Sequence, residues 1–183
     1  MAAMAHELFT AASLAGRTCI GLVFLLAAIQ KAMHWRILPG VIANYRLLPQ
    51  WAPLPAAALL PPTEMVVAVL LLSAQLRPWP VLAAVVLLLV FAAAMAINIR
   101  RGRNHIDCGC GETFLRQPLS WSLVRRNGAL AALLVPSVMM PSPMSVSLAL
   151  SGVAAGIGLF LLYLSFNILA ALPGANARGR RFA

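Results

Sequence analysis

Cys108 and Cys110 stand one residue apart in the segment Asp107-Cys108-Gly109-Cys110-Gly111, and they are two of only three cysteines in the chain. The chemistry open to them is thiol–disulfide exchange. A thiolate is the reactive form, and neighbouring positive charge favours it. Arg100, Arg101, Arg103 and His105 precede the pair, whereas Asp107 and Glu112 oppose them. A bond closed across a single glycine departs from relaxed separations, and a strained disulfide is easier to reduce. Gly109 and Gly111 leave both the turn and an approaching partner unobstructed. Two other readings stay open. The pair is half of a metal site, although zinc wants four ligands and only His105 and Asp107 lie nearby, or the cysteines are incidental to the loop. No metal site is expected.

Three further residues are candidates. Cys19 lies inside an apolar run, where a cysteine usually behaves as a small inert hydrophobe; the sharper reading is a third thiol that reaches the Cys loop or a bound quinone. Arg17 and Glu64 are the charges placed deepest in apolar sequence. Intramembrane charges are costly and mark functional sites. They pair between the first two spans, or else Glu64 is an interfacial first-turn acid and Arg17 snorkels. Asn98, Asn127 and Asn167 read as helix-end or interhelical contacts. No Ser-His-Asp set, phosphate loop, paired-carboxylate site or haem motif is present.

The elements that position these residues are membrane helices. The 183 residues are 62% hydrophobic and 10% charged, with a formal net charge of +10. That is the composition of a membrane protein. Basic residues flank apolar runs, as topology signals and lipid contacts do. They form no stacking platform, so nucleic acid is excluded as a partner. Spans are expected at about 8–30, 56–76, 79–99, 119–140 and 144–172, each near the roughly 20 residues a bilayer needs. The first span is expected to be retained rather than cleaved as a signal peptide. An amphipathic helix at about 40–48 lies on the membrane, and a helix restarts at Pro61, with 55–60 as a separate piece. The fourth run reaches span length only by including 119–127, with Arg125 and Arg126 snorkelling. Gly152 and Gly156 form a GxxxG that allows close helix contact. Trp35, Trp51, Trp79 and Trp121 form an interfacial belt. The fold class is therefore all-α: one polytopic helical bundle over 1–173, with a Cys loop at 100–118 and a basic tail at 174–183.

Orientation follows from charge. With five spans, Lys31, Arg36, Arg46, Arg100, Arg101, Arg103, Arg116, Arg125, Arg126, Arg178, Arg180 and Arg181 share one side, against Arg77 and Arg17. The positive-inside rule places the Cys loop in the cytoplasm, whereas disulfide formation belongs on the oxidising side. If 128–140 is re-entrant, four spans remain.

Several segments carry a family resemblance. Asn98-Ile99-Arg100-Arg101-Gly102, Asp107 through Gly111, Pro118-Leu119-Ser120-Trp121 and Arg126-Asn127 resemble the MauE family of methylamine utilisation proteins. Arg17, Lys31, Tyr45-Arg46-Leu47-Leu48-Pro49 and Pro61 through Glu64 agree with it, so the likeness runs to about residue 140. The wider relatives are DoxX-like four-helix membrane proteins, similar in architecture to the vitamin K epoxide reductase and DsbB type of bundle. The resemblance implies a four-helix core plus a fifth helix, in a bacterial inner membrane. It implies a role in maturing the disulfide-rich small subunit of methylamine dehydrogenase, with a thioredoxin-like, MauD-like partner. It makes Cys108 and Cys110 the redox residues and wants their loop outside. Many relatives carry an aromatic residue between the second cysteine and the next glycine; here Gly111 follows Cys110 directly, which leaves the thiols intact and alters the expected partner contact. Two rivals are a non-catalytic scaffold for the same partner and a quinone-linked thiol oxidase with Arg17, Glu64 and Cys19 near the ring.

Overall fold

The computed structural model describes residues 2–73, 78–104, 106, 118–139 and 145–171. Every regular element among them is a helix: α1 (Ala2–Met33), α2 (Leu38–Asn44), α3 (Pro53–Leu72), α4 (Trp79–Arg100), α5 (Trp121–Leu133), α6 (Pro136–Met139) and α7 (Val146–Ala171). Four are long and apolar enough to cross a membrane: His6–Met33 within α1, α3, α4 and Val146–Leu169 within α7. In hydrocarbon a helix satisfies its own backbone, so these apolar runs have no better option. The protein is an all-α polytopic membrane bundle.

α1 is the hub. It packs along α3 on one side and α7 on the other, while α4 packs along α5. Ile20 and Phe24 of α1 meet Val67, Ala68 and Leu71 of α3, Val81, Ala84 and Leu88 of α4, and Leu130, Ala131 and Leu134 at the end of α5. The chain rises in α1, descends in α3, rises in α4, descends through α5 and α6, and rises again in α7. The C-terminal ends of α1, α4 and α7 therefore share one end of the bundle with α2 and the start of α5. Trp35, Trp51 and Trp121 are exposed at that end, and Trp79 is exposed at the start of α4.

Three expectations change. First, no helix restarts at Pro61. α3 runs unbroken from Pro53, because Pro53 and Pro55 fit a first turn, and it passes through Pro61 and Pro62. Prolines are tolerated in membrane helices when side chains re-satisfy the backbone. The carbonyls that Pro61 and Pro62 leave without a helical donor are those of Ala57 and Ala58; one turn on, Thr63 Oγ1 donates to the Leu59 and Leu60 carbonyls at 2.9 and 2.8 Å. Glu64 is thus a mid-helix residue and not a first-turn acid. Second, the run at 119–140 is two helices. α5 ends in a turn at Leu134-Val135, where Pro136 supplies no N–H and disfavours a helical Val135. α6 is tied to α1 by Ser137 Oγ, which donates to the Ser13 carbonyl at 2.9 Å. Third, the surface helix α2 is shorter than expected, ending at Asn44. Arg46 follows with φ of 48°, the left-handed conformation that usually falls to glycine at a helix end.

The GxxxG of α7 is used. A Cβ on Gly152 would lie 3.0 Å from the Leu14 side chain, and one on Gly156 would lie 2.5 Å from Thr18 Cβ and 2.7 Å from the Ala15 carbonyl oxygen. Without side chains there, α7 lies directly on α1. Gly158 faces open space. Gly156→Ala should therefore destabilise the bundle by about 1–3 kcal/mol, the usual cost of overpacking. Gly158→Ala should leave stability unchanged or slightly raised. Denaturant unfolding in detergent, read for both variants, checks the difference.

Candidate functional site

Lys31 and Glu64 are 8% and 0% exposed. Lys31 Nζ donates to both Glu64 carboxylate oxygens at 2.9 Å. The same ammonium lies 5.6 Å from the centre of the Phe91 ring on α4, a distance at which the ring face attracts a cation. One bidentate pair thus joins α1 to α3 and leans on α4, level with the middle of both α3 and α4.

Beside this pair is a cavity of about 80 Å³, lined by α1, α3, α4, α5 and α7. Its polar lining is Gln30, Lys31, Glu64, Arg126, Asn127, Tyr163 and Asn167; the rest is apolar. Arg126 bridges α5 to α7. Its Nη1 donates to Asn167 Oδ1 at 2.7 Å, and its guanidinium carbon sits 5.6 Å from the Tyr163 ring centre. Arg126 Nε is buried and, among the described residues, has no hydrogen-bond acceptor. Asn127 Nδ2 is satisfied within α5 by the Leu123 carbonyl at 3.0 Å.

One to two helical turns above the cavity the ends of α4 and α5 hold the roots of the Cys loop. Asn98 is fully buried, and its Nδ2 donates to the Ala94 carbonyl at 3.1 Å. Its Oδ1 accepts from Arg103 Nη1 at 3.3 Å, and the Arg103 backbone N–H donates to the Asn98 carbonyl at 3.0 Å. Gly102, with φ of 72°, makes the reversal that brings Arg103 back. Arg103 also reaches the Tyr45 carbonyl at 3.5 Å, and Arg101 the Arg46 carbonyl at 3.4 Å, so the end of α4 is laced to the end of α2. Ile106 and Leu119 are buried with Met95, Ile99 and Leu123. The Leu119 N–H donates to the Ile106 carbonyl at 3.1 Å. The intervening residues, Cys108 and Cys110 among them, lie outside the described residues, as do His105, Asp107, Glu112, Arg77, Arg116 and the basic tail.

The expected partnership of Arg17 with Glu64 does not form. Arg17 lies fourteen residues below Lys31 on α1, about 21 Å at 1.5 Å per residue, beyond the combined reach of the side chains. Cys19, 2% exposed, lies about 18 Å below Lys31 by the same rise. Arg17, Cys19 and Glu64 therefore do not make one site, and Cys19 is buried far from the loop end. Lys31, expected at an interface, is buried, and Arg126, expected to snorkel, turns inward to Asn167; Arg125 beside it is exposed. Asn167 makes the interhelical contact expected of it. The sequence signal for Lys31 is its solitude: it is the only lysine against thirteen arginines.

A family model described as methylamine utilisation protein MauE matches residues 9–140. Among curated relatives, a methylamine utilization protein MauE of Paracoccus denitrificans is 42% identical over 167 residues, covering 90% of each chain. Its counterpart in Methylorubrum extorquens is 39% identical over 153 residues, covering 80% of this chain and 81% of the relative. That of Methylophilus methylotrophus is 36% identical, covering 86% of this chain and 85% of the relative. No solved structure matches.

Removing one member of the buried pair strands the other charge. Glu64→Met or Lys31→Met should each cost about 3–5 kcal/mol. The double variant should recover a large part of that loss, because an apolar pair of similar volume is often neutral or better. Unfolding of the two single variants and the double variant in one detergent gives the coupling directly; additive losses would contradict it.

Proposed function

The chain belongs to the MauE family of methylamine utilisation proteins, and we propose that it is a thiol–disulfide maturation protein of a bacterial inner membrane, with Cys108 and Cys110 as its redox pair. Its role in methylamine utilisation is the formation or correction of disulfides in the small subunit of methylamine dehydrogenase, with a thioredoxin-like, MauD-like protein as exchange partner. On this reading the protein is a thiol–disulfide oxidoreductase.

The observation that carries this reading is the clamp beneath the loop. Leu119 and Ile106 bond to each other over a buried floor, so the two ends of the segment between them are held at one place. A reactive pair carried between two such anchors has fixed ends on the bundle, which suits exchange with a second protein. The exchange itself is balanced without further reagents. A partner thiolate attacks one sulfur of the Cys108–Cys110 disulfide, giving a mixed disulfide and one free thiolate. The partner's second thiolate attacks the mixed disulfide. Two electrons and two protons pass from the partner's dithiol to the pair; the reverse sequence reduces a partner disulfide. Attack depends on the thiolate fraction, and Arg100, Arg101 and Arg103 supply positive charge at the loop's entry.

Cys108→Ser and Cys110→Ser should each abolish maturation of the client's disulfides. One of the two should accumulate a mixed disulfide with the thioredoxin-like partner, visible on non-reducing gels. If Cys108→Ser/Cys110→Ser matures the client at the full rate while still holding the partner, the redox reading fails and the protein is a scaffold. Membrane-impermeant thiol labelling of intact cells, with Cys19→Ala as background, should reach the reduced pair from outside.

A further inference from the structure

We propose that the cleft between α1, α5 and α7 binds the anionic headgroup of one membrane amphiphile, read by Arg126. The charges in the cleft do not cancel. Glu64 gives both of its oxygens to Lys31, so that pair is neutral as a unit. Arg126 has a neutral hydrogen-bond acceptor, Asn167, and the ring face of Tyr163. Among the described residues no carboxylate forms an ion pair with it. One positive charge is therefore left over below the bundle's loop end, in surroundings that raise the cost of leaving it unmatched. Its Nε–H is also buried, with no acceptor among the described residues. A guanidinium presents its donors as a planar fork, which suits the two oxygens of a phosphate or carboxylate.

The shape of the cleft selects the rest of the ligand. About 80 Å³ of space beside Arg126 admits a compact polar group. The cleft's lining includes the apolar Leu164 and Ile168 of α7, and Ile168, half exposed, forms part of an apolar rim. α7 is held by α1, whereas its link to α5 is the side-chain bridge through Arg126. Arg126 lies less than two turns after the start of α5, and Asn167 about one turn before the end of α7. A headgroup entering between these helices stays near the membrane surface while its acyl chain lies along α7. A free soluble anion would make no use of that apolar rim.

The test uses the full-length protein in a non-ionic detergent, titrated with phosphatidylglycerol, oleate or phosphatidylcholine and read by native mass spectrometry. One phosphatidylglycerol or one oleate should be retained per chain, preferred over phosphatidylcholine roughly tenfold or more. Preference for the first identifies a phosphate ligand, and for the second a carboxylate. Arg126→Gln should erase the preference. Arg125→Gln removes the same charge from an exposed neighbour and should keep it. Cys108→Ser/Cys110→Ser should also keep it, so this site stands or falls apart from the thiol reading. Equal retention of phosphatidylcholine by the unaltered protein overturns the proposal whether or not Arg126→Gln folds. So does full preference in a folded Arg126→Gln, or displacement of the lipid by inorganic phosphate alone.

Discussion

The buried pair of Lys31 and Glu64 fixes how α1 and α3 can slide past each other. A shift of one residue moves a helix about 1.5 Å along its axis, enough to break a bidentate contact that has both arms at 2.9 Å. Apolar side chains give no comparable register in a bilayer, because lipid tails are as apolar as the leucines they would replace. Against a well-packed apolar pair the ion pair need not add net stability. Its contribution is specificity: once both charges are buried, other registers of the two helices strand at least one of them. Phe91 extends the same constraint to α4 through the face of its ring.

The arrangement of the remaining helices follows from α1. Its other flank receives α7 through Gly152 and Gly156, where backbone meets side chain without intervening bulk. α4 and α5 pair with each other and close over the core through Leu88, Leu130 and Leu134. α7 is thus fastened on the α1 side, and the space between α7 and α5 is spanned by a guanidinium rather than filled by packing. A cleft beside the ion pair results from how the helices are held, and its polar lining comes from the residues that do the holding.

The helices themselves are legible in the sequence, since long apolar runs in lipid have one backbone solution. The four clearest runs are the four candidate spans, and the exposed tryptophans lie where a belt would put them. The boundaries that shifted did so at prolines. Pro53, Pro55, Pro61 and Pro62 look like punctuation one at a time, but the first two fit a first turn and the helix runs on through the other two, as membrane helices tolerate. That continuity moves Glu64 from a helix start to a helix middle and changes its partner. The identity of the partner was not legible, because it depends on which residues of α1 and α3 come level. Arg17 and Lys31 are both basic residues on one helix, and only the antiparallel stagger of α3 decides between them. Arg126 is the same kind of case. Its inward turn depends on Asn167 and Tyr163, distant in sequence and on a helix whose partners the sequence left open.

The clamp that roots the Cys loop and the cleft around Arg126 lie at one end of the bundle, separated by one to two turns of α4 and α5. They therefore face one leaflet, whichever leaflet that is. The basic residues at this end are not all free to act as topology signals. Lys31 neutralises Glu64, Arg126 bridges two helices, and Arg101 and Arg103 bind backbone carbonyls of α2's terminal turn. Their presence here has a structural cause that would persist in either orientation. The charge asymmetry that argues for a cytoplasmic loop is carried, after these are set aside, by Arg36, Arg46, Arg100 and Arg125 among the described residues. It is a weaker vote than the raw count of arginines, and the conflict between charge and an oxidising role for Cys108 and Cys110 shrinks accordingly.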